Sequence, residues 1–251
     1  GELIAVDLQT LRSKTLAENV SFFNDDAVTD PAKGVVYSVC DSFEEGLYSI
    51  YYCDISGRST RLVRNTDEDT LYNVAVNSEK NTGFLLAPGA TLQDNAVYSL
   101  VWKNGQVETQ RIASGYVENL TYYELSDTAT YIKNPQNDGA ELYAVGMDGQ
   151  NRLLCGDAGT VYNSEYRTYS AQSVLSNDGK SALYFAGIEI GENSAQTSGT
   201  LMLSLGGESV MVAENVSSSY MSAPIVNADM SEIYYCVKKE NKRFDLYRYF
   251  Q

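Results

Sequence analysis

Residues 169–175 read YSAQSVL, residues 176–180 SNDGK and residues 181–186 SALYFA. The first stretch alternates small or apolar side chains with polar ones, which predicts a strand with one buried face. Ser176-Asn177-Asp178-Gly179-Lys180 is a turn, with glycine where the chain needs a positive φ. Ser181-Ala182-Leu183-Tyr184-Phe185-Ala186 then predicts a buried second strand. Beyond an insertion, Leu201–Leu205 forms a third strand, Gly206-Gly207 turns the chain and Val210–Ala213 forms a fourth. Residues 169–214 therefore predict four antiparallel strands joined mostly by short turns.

The start of the third strand recurs through the chain. Leu3-Ile4, Leu47-Tyr48, Val97-Tyr98, Leu142-Tyr143, Leu201-Met202 and Leu246-Tyr247 follow one another at intervals of 44 to 59 residues. That period is the length of a β-propeller blade. The predicted architecture is all-β: a β-propeller of four-stranded antiparallel blades within a single domain, 1–251. Its repeat units run approximately 1–20, 25–66, 71–114, 118–156, 169–214 and 221–251. The first supplies only two strands and the last lacks a fourth, so there are five or six units with partial ones at both termini. An unpaired edge invites aggregation, which favours closure or dimerisation.

Composition narrows the function classes. Of 251 residues 43% are hydrophobic and 20% charged, enough apolar content for a packed core, and 20 tyrosines against 4 prolines suit strands. The net charge of −15 disfavours nucleic acid as a partner. The sequence contains no histidine, which excludes Ser-His-Asp and Cys-His catalysis within this chain and histidine-ligated zinc. Neither a Gly-x-Ser-x-Gly elbow nor a phosphate-binding loop is present, so no catalytic residue and no cofactor is expected. Cys40, Cys53, Cys155 and Cys236 read as buried free thiols. A Cys40–Cys53 disulfide is the alternative, although a tight turn over 41–46 would set Cys40 opposite Leu47. No apolar run reaches the ~20 residues of a membrane helix. The chain opens directly in a strand without an initiator methionine, as expected of a segment that has lost a leader, anchor or upstream domain.

The turn Ser176-Asn177-Asp178-Gly179-Lys180 followed by Leu183-Tyr184-Phe185 resembles the TolB-like propeller repeat, with eroded copies at Asn77–Asn81 and Asn227–Ser231. Asn177 stands where that family usually has proline, and Leu175 and Val226 stand where it has phenylalanine or tryptophan. The resemblance covers nearly the whole chain. It implies a non-catalytic domain that binds a protein or peptide, in the cell envelope or outside the cell, with the cytoplasm as the alternative.

Long loops carry function more often than short turns do. The two longest irregular stretches, Gly156–Thr168 and Gly187–Gly199, flank one repeat and are expected to meet on one face. They offer Tyr162, Tyr166, Glu189 and Glu192 as an aromatic and acidic recognition patch; tolerated insertion is the plainer reading. Acidic clusters at Asp25-Asp26 and Asp67-Glu68-Asp69 lack the spacing of a calcium loop and read as solvated charge, so no metal site is expected. The pairs Tyr51-Tyr52, Tyr122-Tyr123 and Tyr234-Tyr235 are expected to point one ring to each face of a strand. Asn19, Asn119 and Asn215 match the glycosylation sequon. The alternative function is an accessory propeller of a larger hydrolase, or a carbohydrate-active propeller using two carboxylates ~5–10 Å apart. A structural spacer is a third possibility.

Overall fold

The structure, a computed structural model, describes residues 1–23, 34–54, 56–67, 74–77, 79–87, 89, 91–104, 106–136, 139–164, 168–189, 197–206, 208–218, 223–239 and 243–250. It divides into two compact units, Gly1–Leu120 and Thr121–Gln251. Among the described residues every regular element except one short 3₁₀ turn at Leu92–Asp94 is a β-strand, and the sheets are antiparallel.

In the first unit, β1 (Glu2–Val6) and β2 (Ser13–Glu18) form a hairpin. A four-stranded meander follows in β3 (Val20–Phe23), β4 (Gly34–Ser42), β5 (Leu47–Asp54) and β6 (Ser59–Asp67). Its first strand lies ahead of residue 25, where the repeat boundary was expected. A second meander is formed by β7 (Val74–Asn77), β8 (Thr82–Ala87), β9 (Ala96–Lys103) and β10 (Gln106–Ser114). Val36, Ile50 and Leu62 of one sheet and Val74, Leu85, Leu100 and Val107 of the other share a buried cluster. Tyr52 packs edge-on to Trp102 there at 5.4 Å, while Tyr51 stacks on Tyr37 at 5.5 Å, so adjacent tyrosines serve opposite faces.

The second unit is entered along β11 (Val117–Tyr123), which joins β12 (Thr128–Gln136), β13 (Gly139–Gly146) and β14 (Asn151–Ala158) in a meander. The small hairpin of β15 (Thr160–Asn163) and β16 (Thr168–Ala171) follows. Next come β17 (Ser173–Leu175), β18 (Ser181–Glu189), β19 (Ser198–Leu205) and β20 (Glu208–Ser217), then a three-stranded sheet of β21 (Ile225–Val226), β22 (Glu232–Lys238) and β23 (Phe244–Phe250). Single bridged pairs, Ala158 with Ala186 and Val216 with Val237, link these sheets in turn. Among the described residues no sheet closes on itself.

Strand β18 shows why the sequence reads as it does. Ala182 and Tyr184 belong to a core with Ile132, Leu142 and Leu154, whereas Leu183 and Phe185 belong to another with Leu201, Leu203 and Ile233. Alternate side chains thus enter two different cores, and a slip of one residue would exchange them. Each fully buried Leu or Phe contributes about 1.5–3 kcal/mol.

The predicted turns are built by side chains. Ser176 Oγ donates to Asp178 Oδ1 at 2.6 Å and Lys180 N–H donates to the same oxygen at 3.0 Å, which holds the Asp178 carboxyl below its ordinary range. Gly179 has φ +70°, and a Cβ there would stand 3.0 Å from Thr128 Oγ1 and 3.2 Å from Ser126 Cβ. On the other side Asn177 N–H donates to Ala228 O at 2.9 Å. The first turns of three successive sheets, around 126, 178 and 228, therefore touch in a line. Asn177, where the resembled family carries proline, supplies a donor that proline lacks. The sequon residues Asn19, Asn119 and Asn215 all have φ of 56° or 57°, a conformation asparagine tolerates, which gives them a backbone reason to be there.

Two local expectations are corrected. The run 169–175 is not one strand: Gln172 interrupts it, so β16 pairs with β15 while β17 pairs with β18. Cys40 faces Tyr48 and not Leu47, because a bulge between Cys40 and Ser42 adds one residue, and Cys53 faces Val35. All four cysteines are free.

The turn line generates one prediction. Gly179→Ala is expected to lower stability by about 1–2 kcal/mol for the left-handed backbone plus the cost of its close contact. Gly206→Ala, at φ +61° with open space around it, should cost less. Asn177→Pro should cost about 1 kcal/mol through the lost hydrogen bond. Urea midpoints check all three, and equal losses for Gly179→Ala and Gly206→Ala would contradict the packing role.

Candidate functional site

Gly159 follows directly on β14, and it has no room for a side chain. A Cβ there would lie 2.7 Å from Ile188 Cγ1, and its N–H donates to Phe185 O at 2.7 Å. This contact sets the start of the first long stretch against the start of the second. Neither stretch is wholly irregular: the first takes in the end of β14, all of β15 and the first residue of β16, and the second begins as the last three residues of β18.

Tyr162 stands on β15 opposite Tyr169 of β16, with ring centroids 4.9 Å apart and tilted by 48°, and it is 46% exposed. Glu189 is exposed at the last position of β18, opposite Ser198. Tyr166 and Glu192 lie outside the described residues, as do Asp25, Asp26, Glu68 and Asp69. Among the described residues, no three acidic or cysteine side chains gather as they would to hold a metal ion.

A cavity of about 300 Å³ opens beside residues 183–185 of β18, lined in part by Gln172, Val174, Tyr184, Phe185, Leu201 and Pro224. Ala171 also lines it, and Ala171 pairs with Thr160 at the base of the Tyr162 hairpin. Gln172 Nε2 donates across one wall to Ser218 O at 2.9 Å, and Tyr123 OH donates to Ser173 O at 2.8 Å behind another. The buried Oγ of Ser218 has no hydrogen-bond partner. Pockets for small ligands start at about this volume, so the space suits one apolar side chain with a polar group beside it. Sequence reading missed Gln172, Ser218 and Pro224, because no periodic signal joins three segments that meet only in the folded sheet stack.

Two buried tyrosines and a buried thiol near the cavity are held neutral. Burial raises the hydroxyls of Tyr123 and Tyr184 above the ordinary tyrosine value, and Tyr184 donates to Ser209 Oγ at 2.9 Å. Burial pushes the Cys155 thiol up to about 11. A raised thiol is a poor nucleophile at neutral pH.

No family model and no curated protein matches this chain. Solved structures are similar at low identity. TolB from Acinetobacter baumannii is 16% identical over 98% of this chain, with a TM-score of 0.40. The β-propeller domain of the trilobed protease from Pyrococcus furiosus is 12% identical over 99%, with a TM-score of 0.48. A puromycin-hydrolyzing peptidase from Mycobacterium tuberculosis is 11% identical over 98%, with a TM-score of 0.50, a likeness of fold. The chain spans 56% of TolB, 72% of the propeller domain and 39% of the peptidase.

The raised thiol and hydroxyls have a pH consequence. The unfolded chain loses these protons at their ordinary values while the folded chain keeps them. For Cys155 that stability is complete below about pH 9 and is lost as pH rises through about 11; for the tyrosines the loss begins only above about pH 10. The urea midpoint should fall over that window, and fall less in Cys155→Ala. Iodoacetamide at about pH 8 should label Cys155 and Cys53 at least about tenfold more slowly than the half-buried Cys40 and Cys236. Equal labelling of all four would contradict the burial.

Proposed function

We propose that this chain is a non-catalytic binding domain of the β-propeller type, with five or six repeat units, that takes an extended peptide at the loop-bearing end of its second unit. One apolar peptide side chain enters the cavity lined by Val174, Phe185 and Leu201. A neighbouring cationic residue meets Glu189, and an aromatic or aliphatic one packs on Tyr162. Tyr166 and Glu192, outside the described residues, are further candidate contacts from the sequence. The observation that carries this reading is the adjacency of an apolar cavity and an exposed tyrosine hairpin, joined through Ala171. Its described walls contain no carboxylate or thiol, which suits holding a ligand better than transforming one. The resemblance to TolB-like repeats supports a protein or peptide partner outside the cytoplasm, and the charge of −15 argues against nucleic acid.

A second reading, the accessory domain of a larger hydrolase, is favoured by one observation. The peptidase of similar fold has a chain of which the match spans 39%.

Panning a random peptide library separates the two. Under the first reading, peptides sharing an apolar residue beside a basic one are enriched, and binding falls at least about tenfold in Val174→Trp, which fills the cavity, and in Glu189→Lys. Peptides that bind both variants as well as the unchanged protein would overturn it. The second reading expects no motif to enrich.

A further inference from the structure

Gln172 falls between two strands: Ala171 before it pairs with Thr160, Ser173 after it pairs with Tyr184, and neither ladder includes it. Its side chain is anchored all the same. Nε2 donates to Ser218 O at 2.9 Å, and both residues line the cavity of the second unit. This bond fixes which way round the carboxamide lies, because the carbonyl oxygen of Ser218 accepts and only the nitrogen end of the amide can donate. Oε1 is left as an acceptor, and among the described residues no donor meets it. Gln172 is exposed, so this fixed acceptor stands on the solvent side of the cavity.

We propose that Gln172 reads the main chain of the bound peptide: its Oε1 accepts the N–H of the residue whose apolar side chain enters the cavity. The inference rests on the peptide-binding reading above and adds a rule of sequence to it. The inserted residue must carry a free main-chain N–H, which excludes proline and N-methylated residues from that position.

The walls leave this acceptor without a rival. Val174 pairs with Leu183, and Leu183, Phe185 and Leu201 belong to one core with Ile233, so the cavity interior on this side of the sheet is apolar. Ser173 and Tyr184 pair with each other and alternate to the opposite side, where Tyr184 belongs to the other core. Ser173 O accepts from Tyr123 OH, Tyr184 OH donates to Ser209 Oγ, and Ser218 Oγ is closed off from solvent. An apolar side chain suits that interior, and the donor is then supplied by what remains at the rim, the main chain of an extended peptide. A main-chain N–H that leaves water needs a partner. A carboxamide already tied at one end gives up little further freedom in providing it.

Two small probes isolate the contact: N-acetyl-leucine methylamide, and the same molecule methylated on the leucine nitrogen. Binding is followed by nuclear magnetic resonance through the methyl signals of Val174 and Leu201. The first probe should give saturable shifts, and the second should bind about fivefold more weakly, the worth of one hydrogen bond. In Gln172→Ala the first probe should weaken about fivefold and the two probes should become equal, as expected of partners in one contact. The comparison within the unchanged protein needs no variant and so does not depend on how well Gln172→Ala folds. Equal binding of both probes to the unchanged protein, or a difference that persists in Gln172→Ala, would overturn the role of Gln172 and leave the cavity reading standing. Absence of shifts at Val174 and Leu201 with either probe, up to the limit of solubility, would overturn both.

Discussion

The second strand of each complete repeat is buried on both faces, and most of the architecture follows from that. Phe84 and Leu85 on β8, Tyr131 and Ile132 on β12, and Ala182 to Phe185 on β18 are all buried, so neither face of these strands meets water. A strand of this kind needs a sheet on each side. Hydrogen bonds, worth about 1 kcal/mol net each, organise strands within a sheet, but they do not stack one sheet on another. Stacking comes from side-chain burial, several kcal/mol per layer. Each added sheet covers one face and offers another. The last sheet keeps the outstanding one: Ile233 is fully buried against the preceding sheet, while Ile225 and Leu246 face outward.

The loop-bearing end of the second unit has a different chemical character from the sheets below it. Its cavity is apolar, its nearby phenols and the Cys155 thiol keep their protons, and its polar contacts are made through amides and hydroxyls. A group that must exchange a proton near neutral pH needs a pKa close to the operating pH. Burial here drives Tyr184 and Cys155 the other way. Under the proposed binding role, such a site would recognise its ligand by shape and hydrogen bonding, with Glu189 as an exposed charge.

Much of the fold was legible because it rests on repeated local chemistry. The recurring apolar phrase falls on the third strand of every sheet from β5 to β23, and the Asp-Gly turn at 178–179 has the geometry its residues require. The misses have physical causes. The bulge after Cys40 adds a residue without changing composition, so counting across the turn put Leu47 opposite it. Gln172 looked like the polar member of an alternating strand, whereas its side chain is recruited by Ser218 O and the strand breaks there. The hairpin around Tyr162 consists of two four-residue strands, too short for a period to emerge. The cavity was invisible for a further reason: its walls are contributed by segments around 172, 201, 218 and 224, whose proximity is a product of stacking.

The line of touching turns has a mechanical meaning. Asn177 to Ala228 is a 2.9 Å bond, and Gly179 sits against Ser126 and Thr128 with no side chain to spare, so neighbouring sheets of the second unit are clamped at that end. In an up-and-down meander the connection from second to third strand, and that from one sheet to the next, emerge at the opposite end. There the sheets are joined by single bridged pairs, Ala158 with Ala186 and Val216 with Val237. The blades of a hand fan share this arrangement: a rivet holds one end while the other spreads. Insertions at the spreading end can lengthen without disturbing the rivet, since the turns that form it lie at the other end of the strands.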